Sequence, residues 1–152
     1  MTKRFVLTAV CLSLVAPVAG LAQEHWTEGP VWEVWCAQTT PGHFEDYIEY
    51  LRRNYLPTTE SQEKAGLILD TKIFLHTPGS ADAPDICIAT MHKSFGAALD
   101  YSADFEAKGK AIAAEHYKTA DEDKQEEMIA PRLDWRRDLG TQYYREITLK
   151  PM

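Results

Sequence analysis

Two hydrophobic rhythms run along the chain. From Val31 to Thr39, VWEVWCAQT is dense in β-branched and aromatic residues, which predicts a strand. The segment before it, QEHWTEG, reads as an N-terminal arm. After Pro41 and Gly42 the rhythm changes. Phe44, Tyr47, Ile48, Leu51 and Tyr55 recur at three- and four-residue steps, which predicts an amphipathic helix. Pro57 is expected to end or kink it, and TTESQEKAG to add a turn closed by Gly66. LILDTKIFLHT is the second strand, PGSADAPD a loop and ICIATMHK the third strand. Residues 94–118 predict a second helix with Phe95, Ala98, Leu99, Ser102, Phe105 and Ile112 inward, weakened at Gly109. Residues 119–140 predict a third helix, with Thr119 and Glu122 as a capping box, Pro131 as a kink and Gly140 as its end. TQYYREITLK alternates and forms the fourth strand.

The order is β-α-β-β-α-(α)-β, a ferredoxin-like α+β fold with one extra helix before the last strand. Its four-stranded antiparallel sheet places strand one between strands three and four and carries the helices on one face. Trp32, Val34 and Cys36 share one side of strand one; Val31, Glu33, Trp35 and Ala37 share the other. With the more apolar sets assigned to the helices, the open face carries Glu33, Trp35, Asp70, Lys72, Phe74, Tyr144 and Glu146. Mixed aromatics and charges there suit a partner or a ligand better than plain solvent. The expected partner is a second copy of the chain.

VWEVWCAQ, the Pro41–Gly42 turn, HFEDYIEYLRR, Gly66 before LILDTKIFL and the closing RRDLGTQYYREITLK together resemble the dimeric α/β-barrel superfamily, over residues 30–150. The likeness is one of order and pattern, closest to uncharacterised exported members. It implies that two sheets pack face to face into one barrel around a cavity for a small apolar or aromatic molecule. It also allows enzymes: cofactor-free or haem-linked monooxygenases and isomerases. The small haem-degrading members use an Asn on strand one, a Trp on strand three and a His on the second helix. Here Gln38, then Met91 or His92, then His116 stand in those regions, so that set is not reproduced. No cofactor is assigned, haem being the one the resemblance would admit.

The ends and the composition narrow the class. MTKR followed by FVLTAVCLSLVAPVAG and small residues at Gly20 and Ala22 has the layout of a signal peptide over residues 1–22, leaving a domain of residues 23–152 in the periplasm or secreted. Cys11 lies inside the apolar run, which argues against lipidation. Loss of Lys3 and Arg4 takes the formal charge from −7 to −9. An acidic surface argues against nucleic acid and against anionic membrane. Cys36 and Cys87 sit in apolar strand-like runs and read as buried thiols rather than a bridge, although export makes a bridge chemically feasible.

No catalytic motif stands out: HExxH, CxxC, GxSxG and a Gly-rich phosphate loop are all absent. His76 and His92 end neighbouring antiparallel strands at opposite edges, which argues against a shared metal. Glu33, Asp70 and Glu146 offer paired carboxylates, read first as interface ion pairs neutralised by Lys72. Arg132, Arg136, Arg137 and Arg145 cluster near strand four with Trp135, which suggests an anion site, but Arg136 and Asp138 read first as solvated helix-end charges. A ligand-binding protein is therefore the leading expectation, an enzyme or a structural envelope protein the alternatives.

Overall fold

A computed structural model describes residues 25–152. The predicted signal peptide lies outside the described residues. Strand β1 (Trp26–Thr39) pairs antiparallel with both β3 (Ile86–His92) and β4 (Arg136–Leu149), and β2 (Asp70–Leu75) pairs with β3. The sheet order is β2-β3-β1-β4. This is an α+β fold with an open antiparallel sheet, compatible with the ferredoxin-like order, and strand one is central as expected. The predicted N-terminal arm is not separate, because Trp26 extends β1 and pairs with Leu149.

Helix α1 (Phe44–Tyr50) starts beyond Gly42, whose φ of +90° most side chains avoid. Glu45 and Asp46 occupy its first turn, where acidic groups suit the helix dipole. Pro57 neither ends nor breaks the helix. The chain widens into a π-helical turn (Leu51–Tyr55) and re-enters α2 (Leu56–Lys64) with the proline in its first turn. The wider turn relieves the ring's clash with a preceding carbonyl. Nearby hydroxyls also satisfy carbonyls: Thr58 donates to Asn54 O at 2.8 Å and Ser61 to Pro57 O at 2.9 Å. Gly66 then closes the helix at φ +70°, as expected.

The second predicted helix is two. α3 (Phe95–Leu99) ends where Asp100 turns extended, and α4 (Ala103–Tyr117) restarts there. Ser94 and Ser102 supply the side-chain caps that nucleate each piece. α5 (Glu122–Ile129) is capped by Asp121 rather than Thr119 and gives way at Pro131 to a short 3-10 turn. Here the prediction of a helix to Gly140 fails: β4 begins at Arg136. Trp35 pairs with Thr141 and Ala37 with Asp138, so a bulge on β4 opposes Cys36. Gly140 sits in it at φ +95° and donates its amide to Asp138 Oδ1 at 2.6 Å.

The helices cover one face, but on β1 the residues beneath them are not the ones expected. Val31 and Ala37 are fully buried, and Ala37 packs with Tyr47, Leu51, Ile86 and Ile88. Because side chains alternate, Glu33 and Trp35 share that inner face and point into the helical layer. Of the candidates assigned outward, Asp70, Lys72, Phe74, Tyr144 and Glu146 do lie on the open face with Trp32 and Met91, as the cross-strand register requires. The expectation for Glu33 and Trp35 fails because a count of apolar residues does not choose a face. The middle of the sheet demands small Ala37 beneath the helix, and its neighbours at alternate positions follow.

The cysteines also correct the reading. Cys36 and Cys87 are directly opposite across β1 and β3, with Cα atoms 4.1 Å apart, and form a disulfide on the outer face. Closing a loop across 51 residues of sequence restricts the unfolded chain. Cys87→Ala, or reduction of the bridge, is expected to lower stability by about 2–4 kcal/mol. Denaturant unfolding with and without reductant measures this, and identical midpoints would refute it.

Candidate ligand cavity

Between the helices and the inner face of the sheet lies a cavity of about 400 Å³. Its floor comes from the sheet: Trp35 and Glu33 of β1, and Ile88, Thr90 and His92 of β3. Its wall comes from the first helical run, where the π-turn sets Leu51 and Tyr55 beside Tyr47 and Thr59. Phe105 of α4 contributes from the far side, and Arg132 and Arg136 line it from the segment leading into β4. The volume falls in the range of small-molecule sites.

The cavity is chemically uneven. Arg136 stacks over Trp35 at 4.2 Å from the ring centroid and donates from Nη1 to Tyr47 OH at 2.7 Å. Arg132 donates from Nη1 to Tyr50 OH at 2.6 Å, and its Nε is buried without an acceptor among the described residues. Leaving such a donor unsatisfied costs about 1–3 kcal/mol. Trp35 donates from Nε1 to Asp138 Oδ2 at 2.9 Å, so the β4 bulge fixes the indole that forms the floor. That bond, then the Gly140 amide, holds the Asp138 carboxyl below its usual range.

Two residues along β1 from Trp35 the character changes. Glu33 Oε2 lies 3.1 Å from His92 Nε2, and Nδ1 of this buried histidine has no partner among the described residues. Tyr55 OH lies 3.3 Å from Thr90 Oγ1, next to the same carboxylate. Burial pushes the Tyr55 phenol up, and the charge of Glu33 adds to the rise. Burial likewise raises Tyr47, against the lowering effect of Arg136. Tyr117, hydrogen-bonded to Tyr50, is pushed up to about 12, mainly by burial. Tyr47, Tyr55 and Tyr117 therefore remain neutral hydroxyls at physiological pH.

The predicted site residues divide between two surfaces. Glu33 and Trp35 enter the cavity. Asp70, Lys72, Phe74, Tyr144 and Glu146 do not; they form the outer face. There Trp32 donates from Nε1 to Glu146 Oε2 at 3.2 Å, Lys72 Nζ sits 4.8 Å over the Trp32 ring, and Lys72 pairs with Asp70 at 3.3 Å. Phe74 and Tyr144 are half exposed beside them. Glu33 and Glu146, expected as neighbours, are on opposite faces. His76 and His92 are at opposite sheet ends as expected: His76 binds the 84–85 segment, and His92 is near Glu33. Arg136 and Asp138 are not helix-end charges, because the helix has ended before them; the bulged strand carries Arg136 into the cavity, which Arg132 also lines. Arg137 and Arg145 instead pair with Asp82 and Glu28. The sequence reading missed Tyr47, Tyr50 and Tyr55 as polar groups: Tyr47 and Tyr55 enter it only as part of a buried stripe, and Tyr50 is not singled out.

Among the described residues no group of three or more His, Cys, Asp or Glu is arranged to hold a metal ion, and no helix is long and apolar enough to cross a membrane. A haem held by histidine would need a ring nitrogen turned to open space. His92, the histidine that lines the cavity, faces Glu33 with Nε2 and keeps Nδ1 buried, so no step is derived through haem. No known family model matches the chain, and no curated protein is significantly similar to it.

The raised phenols carry a sign. A tyrosine whose folded pKa exceeds its unfolded value near 10 favours the fold while neutral. That contribution is complete below pH 10 and is lost as pH rises through the folded value, near 12 for Tyr117. Of seven tyrosines, Tyr47, Tyr55, Tyr117 and Tyr143 are raised. Tyrosinate absorbance is expected to lag behind the free-phenol curve for this group, with stability falling across the same alkaline window. A single unshifted titration would contradict it.

Proposed function

We propose that this is an exported small-molecule-binding protein whose ligand occupies the cavity between helices and sheet, and whose outer sheet face pairs with a second copy. The observation that carries the reading is the 400 Å³ space floored by Trp35 and walled by Tyr47, Leu51 and Tyr55. Apolar and aromatic lining with a few convergent polar groups is what small-ligand sites require. A flat apolar or aromatic body fits this lining. Export is supported by the leader-like N-terminus and by the Cys36–Cys87 bridge, since disulfides persist in oxidising compartments.

Pairing is supported by the outer face. Its aromatic residues, Trp32, Phe74 and Tyr144, are left uncovered by the chain's own helices. Their neighbours Asp70, Lys72 and Glu146 carry both signs, which lets one patch complement itself across a two-fold axis. Two sheets meeting there would make the barrel that the resemblance implies, but the ligand cavity lies on the helix side of each sheet and not, as the resemblance implies, between the sheets.

A second reading, an enzyme of monooxygenase or isomerase kind, has one specific support. Buried His92 and partly exposed Glu33, beside Tyr55, are a proton-accepting and proton-donating set within the cavity.

Protein taken directly from its host is expected to give a dimer in native mass spectrometry, with a small molecule retained; an empty cavity at full occupancy of the fold would count against binding. Phe74→Asp is expected to weaken the dimer by at least about tenfold in sedimentation while leaving folding intact. Unchanged association would place the interface elsewhere.

A further inference from the structure

We infer that the cavity's ligand carries a carboxylate, gripped by Arg132 and Arg136; this rests on the cavity reading above. The argument starts from the company the arginines keep. Among the described residues, Arg52 and Arg53 reach Glu49, Arg137 reaches Asp82 and Arg145 reaches Glu28. Arg132 and Arg136 are the exceptions, with no carboxylate of the described residues within ion-pair distance. They are also the two arginines that line the cavity. In a chain with 23 acidic against 16 basic residues, surface carboxylates are plentiful, so two arginines held away from them are unusual.

Their present partners do not neutralise them. Each donates to a phenol that burial keeps protonated or that sits in a hydroxyl network: Arg136 to Tyr47, Arg132 to Tyr50. A neutral hydroxyl that accepts from a guanidinium keeps its own O–H free to donate onward. Each arginine–tyrosine pair therefore presents further donors. Arg132 adds a buried Nε–H without an acceptor. Asp138 on the same strand feels the charge of Arg136 but forms no ion pair with it, its carboxylate being engaged by Trp35 and by the Gly140 amide.

The remaining polar groups match one orientation. Glu33 lies two residues along β1 from Trp35 and is bound to His92, so negative charge is disfavoured at that end. A ligand with its oxyanion toward Arg132 and Arg136 and its apolar body toward Leu51, Ile88 and Phe105 satisfies both. A planar carboxylate suits guanidinium forks better than a point charge does.

The test is calorimetric titration of the purified protein with phenylacetate and cinnamate, each beside its amide, with the arginine Nε–H resonances followed by NMR. The acids are expected to bind at least about tenfold more tightly than the amides. The Arg132 Nε–H signal should shift with the acids. Arg132→Gln should narrow the gap between acid and amide at least about tenfold. Should that variant fold poorly, Arg136→Lys, which keeps charge and loses the fork, should still weaken acid binding. Equal binding of acids and amides in the cavity would overturn the carboxylate inference and leave the cavity reading intact. Absence of binding by every probe would overturn both.

Discussion

The register of β1 between β3 and β4 is the constraint on which the rest depends. Side chains alternate with period two, so a slip of one residue would exchange the two faces of the sheet. In the observed register Val31 and Ala37 lie beneath the helices, and Glu33 and Trp35 follow them there. Trp32 and both cysteines go to the outside. The disulfide joins residues directly opposite in the β1–β3 ladder, so it pins the same register covalently. Ala37 permits close approach by Tyr47 and Leu51, while Glu33 and Trp35 hold the helices off further along. The cavity is a consequence of that unevenness in size.

Strand β4 supplies the second half of the site through an irregularity. An ideal strand would not bring both Arg136 and Asp138 to the neighbourhood of Trp35. The bulge opposite Cys36, with Gly140 at φ +95°, does so, and Asp138 then anchors the indole over which Arg136 stacks. The π-helical turn plays the matching part on the other wall by placing Leu51 and Tyr55 toward the sheet. Both departures from regular geometry lie at the cavity, which is where such departures commonly sit.

Charge is divided between the surfaces. On the outer face Lys72 pairs with Asp70, and the Glu146 carboxylate accepts from the neutral Trp32 indole. The inner space keeps two cations at one end and a Glu33–His92 pair at the other, separated by apolar side chains and neutral phenols. The sheet thus carries an aromatic outer face and a polarised inner hollow.

The element order, the central place of strand one and the buried stripe of the first helix were legible in the sequence, because they follow from short-range periodicity. Tyr47 and Leu51 are buried as that stripe required. Which side of the sheet the helices cover was not legible. Both faces of β1 carry a tryptophan and aliphatics, and only packing against Tyr47 decides between them. Nor was the fate of residues 130–140, where a helical pattern yields to a strand because β1 offers an unpaired edge from Ala37 to Thr39. The bridge between Cys36 and Cys87 needed the pairing of two strands far apart in sequence. What the sequence determined alone was local: where the chain coils and where it extends. The tertiary structure decided which side chains meet, since facing depends on long-range register that no local pattern encodes.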